Sequence, residues 1–336
     1  MHNAYSDALD TVLRDCCTPA VVRAIERGES HLPLWQSLQD SGFADCLLPE
    51  AAGGAGLPLD ELAPVLFALG RHALPLPLGQ TMFARALLHA AGMAVPAEPI
   101  ALASFDMEDG ATDAVLVAGG AQAAWFLVQE GTQCVLLPRT RAQVRATGAH
   151  ADLALVLQRP VPGGLPLFAL PAGALRQIGA CLHAVQLAGA MSHVFDMTLQ
   201  YANDRQQFGR AIGKFQAIQH QISVMAEHVT AARVAAQIAC AASGWQPDPL
   251  RAAIGKLNAS EAVTPVAAIA HAVHGAIGIT EEYDLQIHTR RLHAWRLADG
   301  SETYWGRVIG EAVCGYPEPS VGLIDQVRTW SVDAAA

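Results

Sequence analysis

Charged side chains are scarce in this chain of 336 residues: Asp, Glu, Lys and Arg together make up 15% of it. The balance is acidic, with 21 Lys and Arg against 31 Asp and Glu and a formal charge of −10. Nucleic acids and anionic membranes attract basic surfaces, so the charge argues against either as the main partner. With 52% hydrophobic residues, so little charge also suggests that other subunits cover part of the apolar surface.

Long uninterrupted apolar runs are missing as well. The longest candidate, residues 114–128, contains Gly119, Gly120 and Gln122, so no membrane-spanning helix is predicted. The N-terminus has neither the basic start nor the apolar core of a signal peptide. The seven cysteines show no CxxC spacing. We therefore expect a reducing, cytoplasmic setting without a structural disulfide or a zinc site.

The spacing of apolar residues divides the chain into four regions. Residues 1–96 show helical spacing, and their glycine loop at 49–56 lacks the Gly-Lys-Ser/Thr of a phosphate-binding loop. Residues 97–172 change to short apolar runs between glycine-bearing turns, which predicts a small antiparallel β domain. Helical spacing returns over 173–316, predicting a C-terminal four-helix bundle, and 317–336 form a predicted tail. The predicted fold class is α+β, mainly α.

Individual elements follow from the same patterns. Short apolar runs predict strands at 115–117, 125–128, 134–137, 153–157 and 165–170. The predicted helices of the C-terminal region are one from about 174, one with an apolar stripe from Ile218 to Ala239, one over about 249–274 and one from about Ser301 to Val313. The stripe shrinks from branched residues to alanines, which favours close helix packing.

The most informative stretch is a polar turn between two helical segments. It runs from Tyr201 through Arg205 and Phe208 to Gln216. An arginine in such a turn suits an anionic ligand, because a guanidinium donates two parallel hydrogen bonds to phosphate. The alternative is that Arg205 forms a surface ion pair with Asp204 or another neighbour.

This turn resembles the flavin-contacting turn of the acyl-CoA dehydrogenase family, in which Tyr precedes Arg-x-x-Phe-Gly and then Phe/His-Gln. A second block, His-Gly-Ala-Ile-Gly-Ile-Thr-Glu-Glu-Tyr at residues 274–283, resembles the Gly-Gly-x-Gly turn of the same family. The order of helical domain, β domain and helical bundle also fits, so the resemblance covers nearly the whole chain. It implies FAD as cofactor and an acyl-CoA thioester as substrate.

The resemblance assigns the cofactor contacts residue by residue. Arg205 would pair with the FAD pyrophosphate, Phe208 would pack against the cofactor and Gln216 would reach its adenine end. Gly275 and Gly278 would bring backbone amides to phosphate. In the family these groups reach a flavin held mainly by a neighbouring subunit, so the site would span a dimer interface.

Asp299-Gly300-Ser301 stands where the family has a Glu-Gly-Thr/Ser turn, whose glutamate is the catalytic base. Other branches carry the base on the first helix of the bundle, at the position of Gly179 here. Asp299 is therefore the candidate base for removing the α-proton, and Ser301 is assigned to the cofactor. Two alternatives stay open: Asp299 caps the following helix, or a partner subunit supplies the base.

The chain also departs from the family. The β segments that hold the isoalloxazine and shape the thioester slot are missing from residues 101–106 and 116–120, and the arginine that often meets CoA corresponds to Ala180. The Gln before the glycine turn and the second glycine become Ala272 and Ala276. The chain thus keeps what it would offer to a neighbour's flavin and loses what would hold its own. That combination is expected for one subunit of a heteromeric acyl-CoA dehydrogenase.

We therefore predict a subunit of a flavin-dependent acyl-CoA dehydrogenase that acts on a bulky or steroid-type acyl-CoA. Its partners would be a paralogous subunit or a second copy of itself, together with an electron-transfer flavoprotein. The alternative is a flavin-free, dehydrogenase-like scaffold that only stabilises a catalytic partner. His271 and His274 carry no metal prediction, because no acidic third ligand accompanies them.

Overall fold

The computed structural model describes residues 2–105, 113–159, 161–242, 244–315 and 325. The helices are α1 Ala4–Cys16, α2 Pro19–Glu26, α3 Leu32–Asp40, α4 Leu59–Arg71, α5 Leu78–Ala90, α6 Ala174–Asp204, α7 Gln216–Ala239, α8 Pro249–His274, α9 Leu285–Leu297 and α10 Glu302–Cys314. The strands are β1 Ile100–Phe105, β2 Ala114–Val117, β3 Trp125–Glu130, β4 Gln133–Pro138, β5 Gln143–Ala146, β6 Leu155–Gln158, β7 Leu167–Ala169, β8 Gln206–Gln207 and β9 Arg210–Ala211.

This order confirms the predicted fold class, since a small β region separates two helical regions. Apart from Asp325, the predicted tail at 317–336 lies outside the described residues. The region boundaries at 96, 172 and 316 stay predictions, although the change from helices to strands and back falls near the first two.

The N-terminal helices form where local capping signals permit. Asn3 accepts a hydrogen bond from the Ser6 backbone N–H, and the Ser6 hydroxyl accepts one from Asn3 in return, so α1 begins with a capping box. Thr18 caps α2, and Pro19 occupies its first turn, where a missing N–H costs nothing. The Leu-Pro-Leu-Pro segment at 74–77 lies outside any helix or strand and leads into α5.

Helices α4 and α6 touch backbone to backbone, and this contact fixes the site-bearing face of α6. A Cβ at Gly70 would lie 2.1 Å from the Gln186 carbonyl oxygen, and one at Gly189 would lie 2.1 Å from that of Phe67. Only glycine permits such an approach. The two helices are therefore locked in one register, which determines where Gln186 and His183 point.

The β region contains two sheets. One has the strand order β1-β3-β4-β7 and the other the order β2-β6-β5. The predicted antiparallel pairing holds for the neighbours in both sheets except β1 and β3, which are parallel. Strands β1 and β5 were not predicted: β1 is buried on both faces and shows no alternation, and β5 is only four residues long and largely exposed.

The C-terminal bundle is built from α6, α7 and α8, with the shorter α9 and α10 beside them. The predicted alanine stripe of α7 is buried, and Gly255 of α8 lies so close that its Cβ would be 2.5 Å from that of Ala239. Helix α9 was not predicted, because its buried residues mix polar and apolar types: His288, Thr289 and Arg291 lie among Leu285, Ile287, Leu292 and Trp295.

Two segments, Ala174–Asp204 and Pro249–Ile279, are long and apolar enough to cross a membrane by length and hydropathy. The first is a core helix, since 89% of its most apolar window is buried within the protein. Only 44% of the corresponding window is buried in the second.

Candidate active site

Asp299 sits in a sharp turn between α9 and α10. Its φ is 55° and that of Gly300 is 111°, so two successive residues leave the ordinary right-handed and extended regions. The N-cap of α10 is Ser301, whose side chain accepts a hydrogen bond from the Tyr304 backbone N–H. Asp299 is therefore not the cap, and its carboxylate is directed elsewhere.

The Asp299 carboxylate lies against α6. A Cβ at Gly179 would come within 2.3 Å of the carboxyl carbon, so the absence of a side chain at that position makes room for it. One helical turn further along, Nδ1 of the buried His183 lies 2.8 Å from Asp299 Oδ2. The pair has ion-pair distance without the alignment of a hydrogen bond. The two positions at which the family carries its base thus meet at one point in this fold.

Lys256 holds the Asp299 turn from the interior of α8. Its fully buried ammonium donates to three oxygens: Ser260 Oγ at 2.9 Å, Arg296 O at 2.7 Å and Gly300 O at 3.2 Å. Burial lowers its pKa to about 8, while the negative charge of Asp299 acts in the opposite direction. The indole N–H of Trp305 donates to the Asp299 carbonyl oxygen at 3.1 Å and completes the support.

A cavity of about 220 Å³ lies beside this turn, where the three regions of the chain meet. Its walls come from the connector before α5, the ends of β2 and β6, and facing residues of α6 and α9. The lining residues include His183, which contacts Asp299, and Ala298, which directly precedes it. A largely apolar cavity can hold an acyl chain, and the Asp299 carboxylate, which contacts the cavity-lining His183, is a group that can accept a proton.

The residues assigned to FAD lie on a separate, exposed surface. Strands β8 and β9 form a two-residue hairpin whose central residues are Phe208 at φ 53° and Gly209 at φ 79°. Positive φ at both positions is the geometry of a type I′ turn, which phenylalanine adopts only with strain. The Phe208 side chain is 90% exposed. A strained, exposed aromatic ring at a hairpin tip is well placed for a contact outside this chain.

Arg205 and Gln216 flank this hairpin, Arg205 at the end of α6 and Gln216 at the start of α7. Both are exposed. Within the described part of the chain, the Arg205 side chain forms no ion pair, and the Asp204 carboxylate accepts from Gln200 instead. The alternative of an ion pair between Arg205 and Asp204 is therefore wrong, and the guanidinium is available to an external anion.

The second motif, at residues 274–283, contacts the end of α6, next to the β8–β9 hairpin, through aromatic rings. The rings of Tyr201 and His274 stack with centroids 4.4 Å apart, and Tyr283 meets Tyr201 edge-on. Gly275 has a φ of 66°, a conformation that favours glycine, and the space that a Cβ would take there is open for 4 Å around. Gly278 is buried, so its role is close packing rather than exposure. The structure thus brings together the two motifs that the sequence separates.

His271 and His274 are occupied by other contacts. His271 Nε2 lies 3.1 Å from the Thr289 hydroxyl, and His274 Nδ1 lies 2.8 Å from the Ala270 carbonyl oxygen. No group of three or more His, Cys, Asp and Glu side chains among the described residues is arranged to hold a metal ion.

Sequence reasoning missed His183 and Lys256. His183 follows Gly179 by one helical turn, so helical spacing alone places both on the face that meets Asp299. Lys256 stands among small and apolar residues of α8, and a lysine in such a setting is a signal of a buried, hydrogen-bonded cation.

The sequence is similar to known acyl-CoA dehydrogenases. The model of the acyl-CoA dehydrogenase C-terminal domain matches residues 176–314. Acyl-CoA dehydrogenase IpdE2 of Mycobacterium tuberculosis is 34% identical over 286 residues, covering 82% of this chain and 85% of that protein. IpdE2 of Mycolicibacterium smegmatis is 32% identical over 279 residues, covering 82% and 87%.

Solved structures agree in fold. A chain of the ChsE4-ChsE5 complex from Mycobacterium tuberculosis superposes with a TM-score of 0.81 at 22% identity, covering 94% of this chain and 99% of that one. A chain of a Tcur3481-Tcur3483 steroid ACAD variant gives a TM-score of 0.79 at 25% identity, covering 92% and 96%. With relatives above 30% identity over most of both sequences, the chain belongs to the acyl-CoA dehydrogenase family.

Proposed function

We propose that this chain is one subunit of a flavin-dependent acyl-CoA dehydrogenase and that its Asp299 is the base. The observation that carries the proposal is the Asp299 carboxylate, which has no capping role and lies against Gly179 and the cavity-lining His183. In the reaction the carboxylate takes the α-proton of the thioester, and the electrons of that C–H bond form the new double bond as the β-hydrogen leaves as hydride. FAD, when bound, supplies the hydride acceptor.

The residues present fit a flavin contributed largely by a neighbour. Arg205 offers an unpaired guanidinium, which suits a pyrophosphate, and the strained Phe208 ring offers an apolar face. Gln216 is exposed beside them, and Gly275 leaves its backbone open to close approach. On the inner side, the segment from Leu116 to Gly119 lines the cavity without the aromatic and hydroxyl groups expected around an isoalloxazine.

We infer that the partner is a paralogous subunit. The asymmetry between the outer surface and the inner segment supports this, as do two similar structures, one described as a ChsE4-ChsE5 complex and one as a Tcur3481-Tcur3483 steroid ACAD. The second of these also supports a bulky, steroid-type acyl group. An electron-transfer flavoprotein would take the electrons onward, and a cytoplasmic setting suits the free cysteines of this chain.

Flavin content tests the assembly. Expressed alone, the chain is expected to hold little FAD, and co-expression with a full-length paralogue should restore a flavin spectrum and turnover of an acyl-CoA. Arg205→Ala in the assembly should then weaken FAD binding by roughly 1.5–3 kcal/mol, because a charge-assisted hydrogen bond is lost. Stoichiometric FAD in a pure homo-oligomer would refute the heteromer, and unchanged FAD affinity in Arg205→Ala would refute the assigned contact.

A flavin-free scaffold is the second candidate function. The observation that favours it is the altered segment 116–119 at the cavity wall. A scaffold leaves catalysis to its partner, so full turnover by an assembly that carries Asp299→Asn would support it.

A further inference from the structure

The turn that carries Asp299 is held at its backbone and at its side chain by different groups. Lys256 donates to the Gly300 carbonyl oxygen, and the Trp305 indole donates to the carbonyl oxygen of Asp299. Neither bond reaches the carboxylate. Among the described residues, the side chain at hydrogen-bond distance from it is His183, whose Nδ1 lies 2.8 Å from Oδ2. The direction of the carboxylate therefore depends on this histidine.

The position of His183 is fixed by the fold. It lies on α6, whose register against α4 is set by the close backbone approaches at Gly70 and Gly189. The residue is 1% exposed, and its ring centroid lies 6.4 Å from that of Trp295 on α9. An imidazole held by its helix and by a neighbouring ring can define where a carboxylate sits, because packed side chains resist displacement.

The imidazole of His183 lies between the carboxylate and the cavity. Its Nδ1 is buried and close to Oδ2, but the N–H direction is not that of an aligned hydrogen bond. The same ring lines the cavity that is proposed to receive the acyl chain. Hydrogen bonds of catalytic groups are often poorly aligned before substrate binds and tighten in the complex. A small rotation of the ring is enough to align this one, since the distance is already that of a hydrogen bond.

We propose that His183 is the positioning residue of the base: its Nδ1–H donates to Asp299 Oδ2 and leaves Oδ1 to take the α-proton. The role deepens the proposed function and rests on it, because it assumes that Asp299 is the base. Oδ1 has no hydrogen-bond or ion-pair partner among the described residues. The proton of the imidazole must be on Nδ1, since a nitrogen without it cannot donate to a carboxylate. Such a donor also favours the ionised carboxylate, which is the form that accepts a proton.

Two variants of similar size test this role in the co-expressed assembly. His183→Asn keeps an N–H donor at the same distance from Cβ as Nδ1, whereas His183→Leu places a methyl group there. In His183→Leu, kcat for an acyl-CoA should fall by about 10- to 100-fold, because a displacement of about 1 Å can cost roughly 10²-fold. His183→Asn should restore kcat to within about threefold of the unaltered assembly. In both variants KM should change by about twofold or less, since an interaction that orients the base acts on kcat.

His193 supplies the matched control on the same helix. Its ring lies 4.4 Å from that of His288, and it does not contact Asp299. His193→Leu should leave kcat unchanged. Flavin content and thermal unfolding are measured for every variant, so that the rates refer to folded, loaded sites. If His183→Leu does not assemble, His183→Gln takes its place, because its amide lies one carbon further from Cβ and should show the same loss of kcat.

Three results would overturn the positioning role. One is an unchanged kcat in His183→Leu, or in His183→Gln where that variant replaces it. Another is an equal loss of kcat in His183→Leu and His183→Asn, which would mean that the donor at the Nδ1 position is not what matters. The third is a rise in KM with kcat unchanged, which would assign His183 to substrate binding.

Asp299→Asn separates this proposal from the one on which it rests. If Asp299→Asn abolishes exchange of the α-proton while His183→Leu keeps full kcat, the positioning role is wrong and the proposed base stands. If Asp299→Asn keeps full exchange, both are overturned, because His183 then has no base to position.

Discussion

Two turns of this molecule place a non-glycine residue at positive φ directly before a glycine, and their surroundings differ completely. The turn at Asp299, where φ is 55°, accepts hydrogen bonds from Lys256 at the Gly300 carbonyl oxygen and from Trp305 at the Asp299 carbonyl oxygen. The missing side chain at Gly179 leaves room for the Asp299 carboxylate. Phe208 at φ 53° has an almost fully exposed ring, with an edge-on contact to Phe215 as its ring neighbour. Such strain costs about 1–3 kcal/mol and persists only when something offsets it.

The difference teaches where each turn obtains its stabilisation. The Asp299 turn is complete within one chain, because its hydrogen bonds come from α8 and α10. The Phe208 turn lacks comparable support, and its strain is understandable if a second molecule covers it. This difference agrees with the proposed roles, catalysis within the chain for Asp299 and an external contact for Phe208.

Removing the charge of Asp299 should have the largest effect. Asp299→Asn keeps a residue that tolerates positive φ, and Ser301 remains the cap, so the fold should survive. Exchange of the α-proton of a bound acyl-CoA should fall by about 10²–10⁴-fold, the usual contribution of a general base. Exchange is followed by the loss of deuterium from an α-labelled thioester, with flavin content as the control. Unchanged exchange would assign the base to a partner.

Lys256 offers a test of the interior support. Its pKa of about 8 is below the ordinary 10.5, so between these values the unfolded chain holds a proton that the folded chain has released. The free energy of unfolding should therefore rise with pH across this window, and relative to Lys256→Met it should rise by roughly 3 kcal/mol. The comparison with the variant cancels other groups, such as Cys17, whose pKa burial raises to about 12. Denaturant titrations from about pH 7.5 to about pH 10.5 measure the free energy of unfolding of both proteins. If the difference between them did not change with pH, the lowered pKa of Lys256 would be contradicted.

Gly179→Ala should disturb the carboxylate without removing it. The new methyl group would lie 2.3 Å from the Asp299 carboxyl carbon, so the carboxylate must move. A displacement of about 1 Å can lower a rate by roughly 10²-fold. Gly310→Ala in α10 is the matched control, because nothing lies within 4 Å of its Cβ position. Equal kcat values for Gly179→Ala and Gly310→Ala would show that the contact between position 179 and the Asp299 carboxylate does not affect catalysis.

Phe208→Asn should separate strain from contact, with the smallest effect. Asparagine tolerates positive φ, so the isolated chain should gain up to about 1 kcal/mol of stability. The assembly should at the same time bind FAD less tightly, because the aromatic ring is lost. Thermal unfolding of the chain and flavin release from the assembly measure the two quantities. A loss of stability in the isolated chain would mean that Phe208 serves the fold.

The sequence predicted elements well where apolar spacing is regular. Helix α8 begins and ends at the predicted residues, and the alanine stripe of α7 is buried. Helix α9 escaped prediction because polar residues interrupt its buried apolar ones, and the burial of Arg291 is explained only by its tertiary ion pair with Glu26. Strand β1 is buried on both faces and therefore shows no alternation.

Some residues of the candidate site could also be assigned from the sequence, whereas others are revealed only by the fold. Asp299 and the FAD-facing residues could be assigned from their local pattern and its resemblance to the family. The alternatives for Asp299 could not be separated, because caps depend on backbone angles that residue types do not fix. The contribution of His183 and Lys256 is a matter of tertiary distance. Helical spacing relates His183 to Gly179, and the apolar setting of Lys256 indicates its burial, but only the fold shows that both residues meet the turn at Asp299.

The contact between Gly179 and Asp299 limits how this protein can change over generations. While Asp299 keeps its carboxylate, the Cβ of any side chain at position 179 would lie 2.3 Å from it, so a substitution there displaces the carboxylate. Once position 299 shortens to glycine or alanine, the same space becomes open to a glutamate on α6. The two positions therefore constrain each other: the carboxylate at 299 requires glycine at 179, and a side chain at 179 requires a shorter residue at 299.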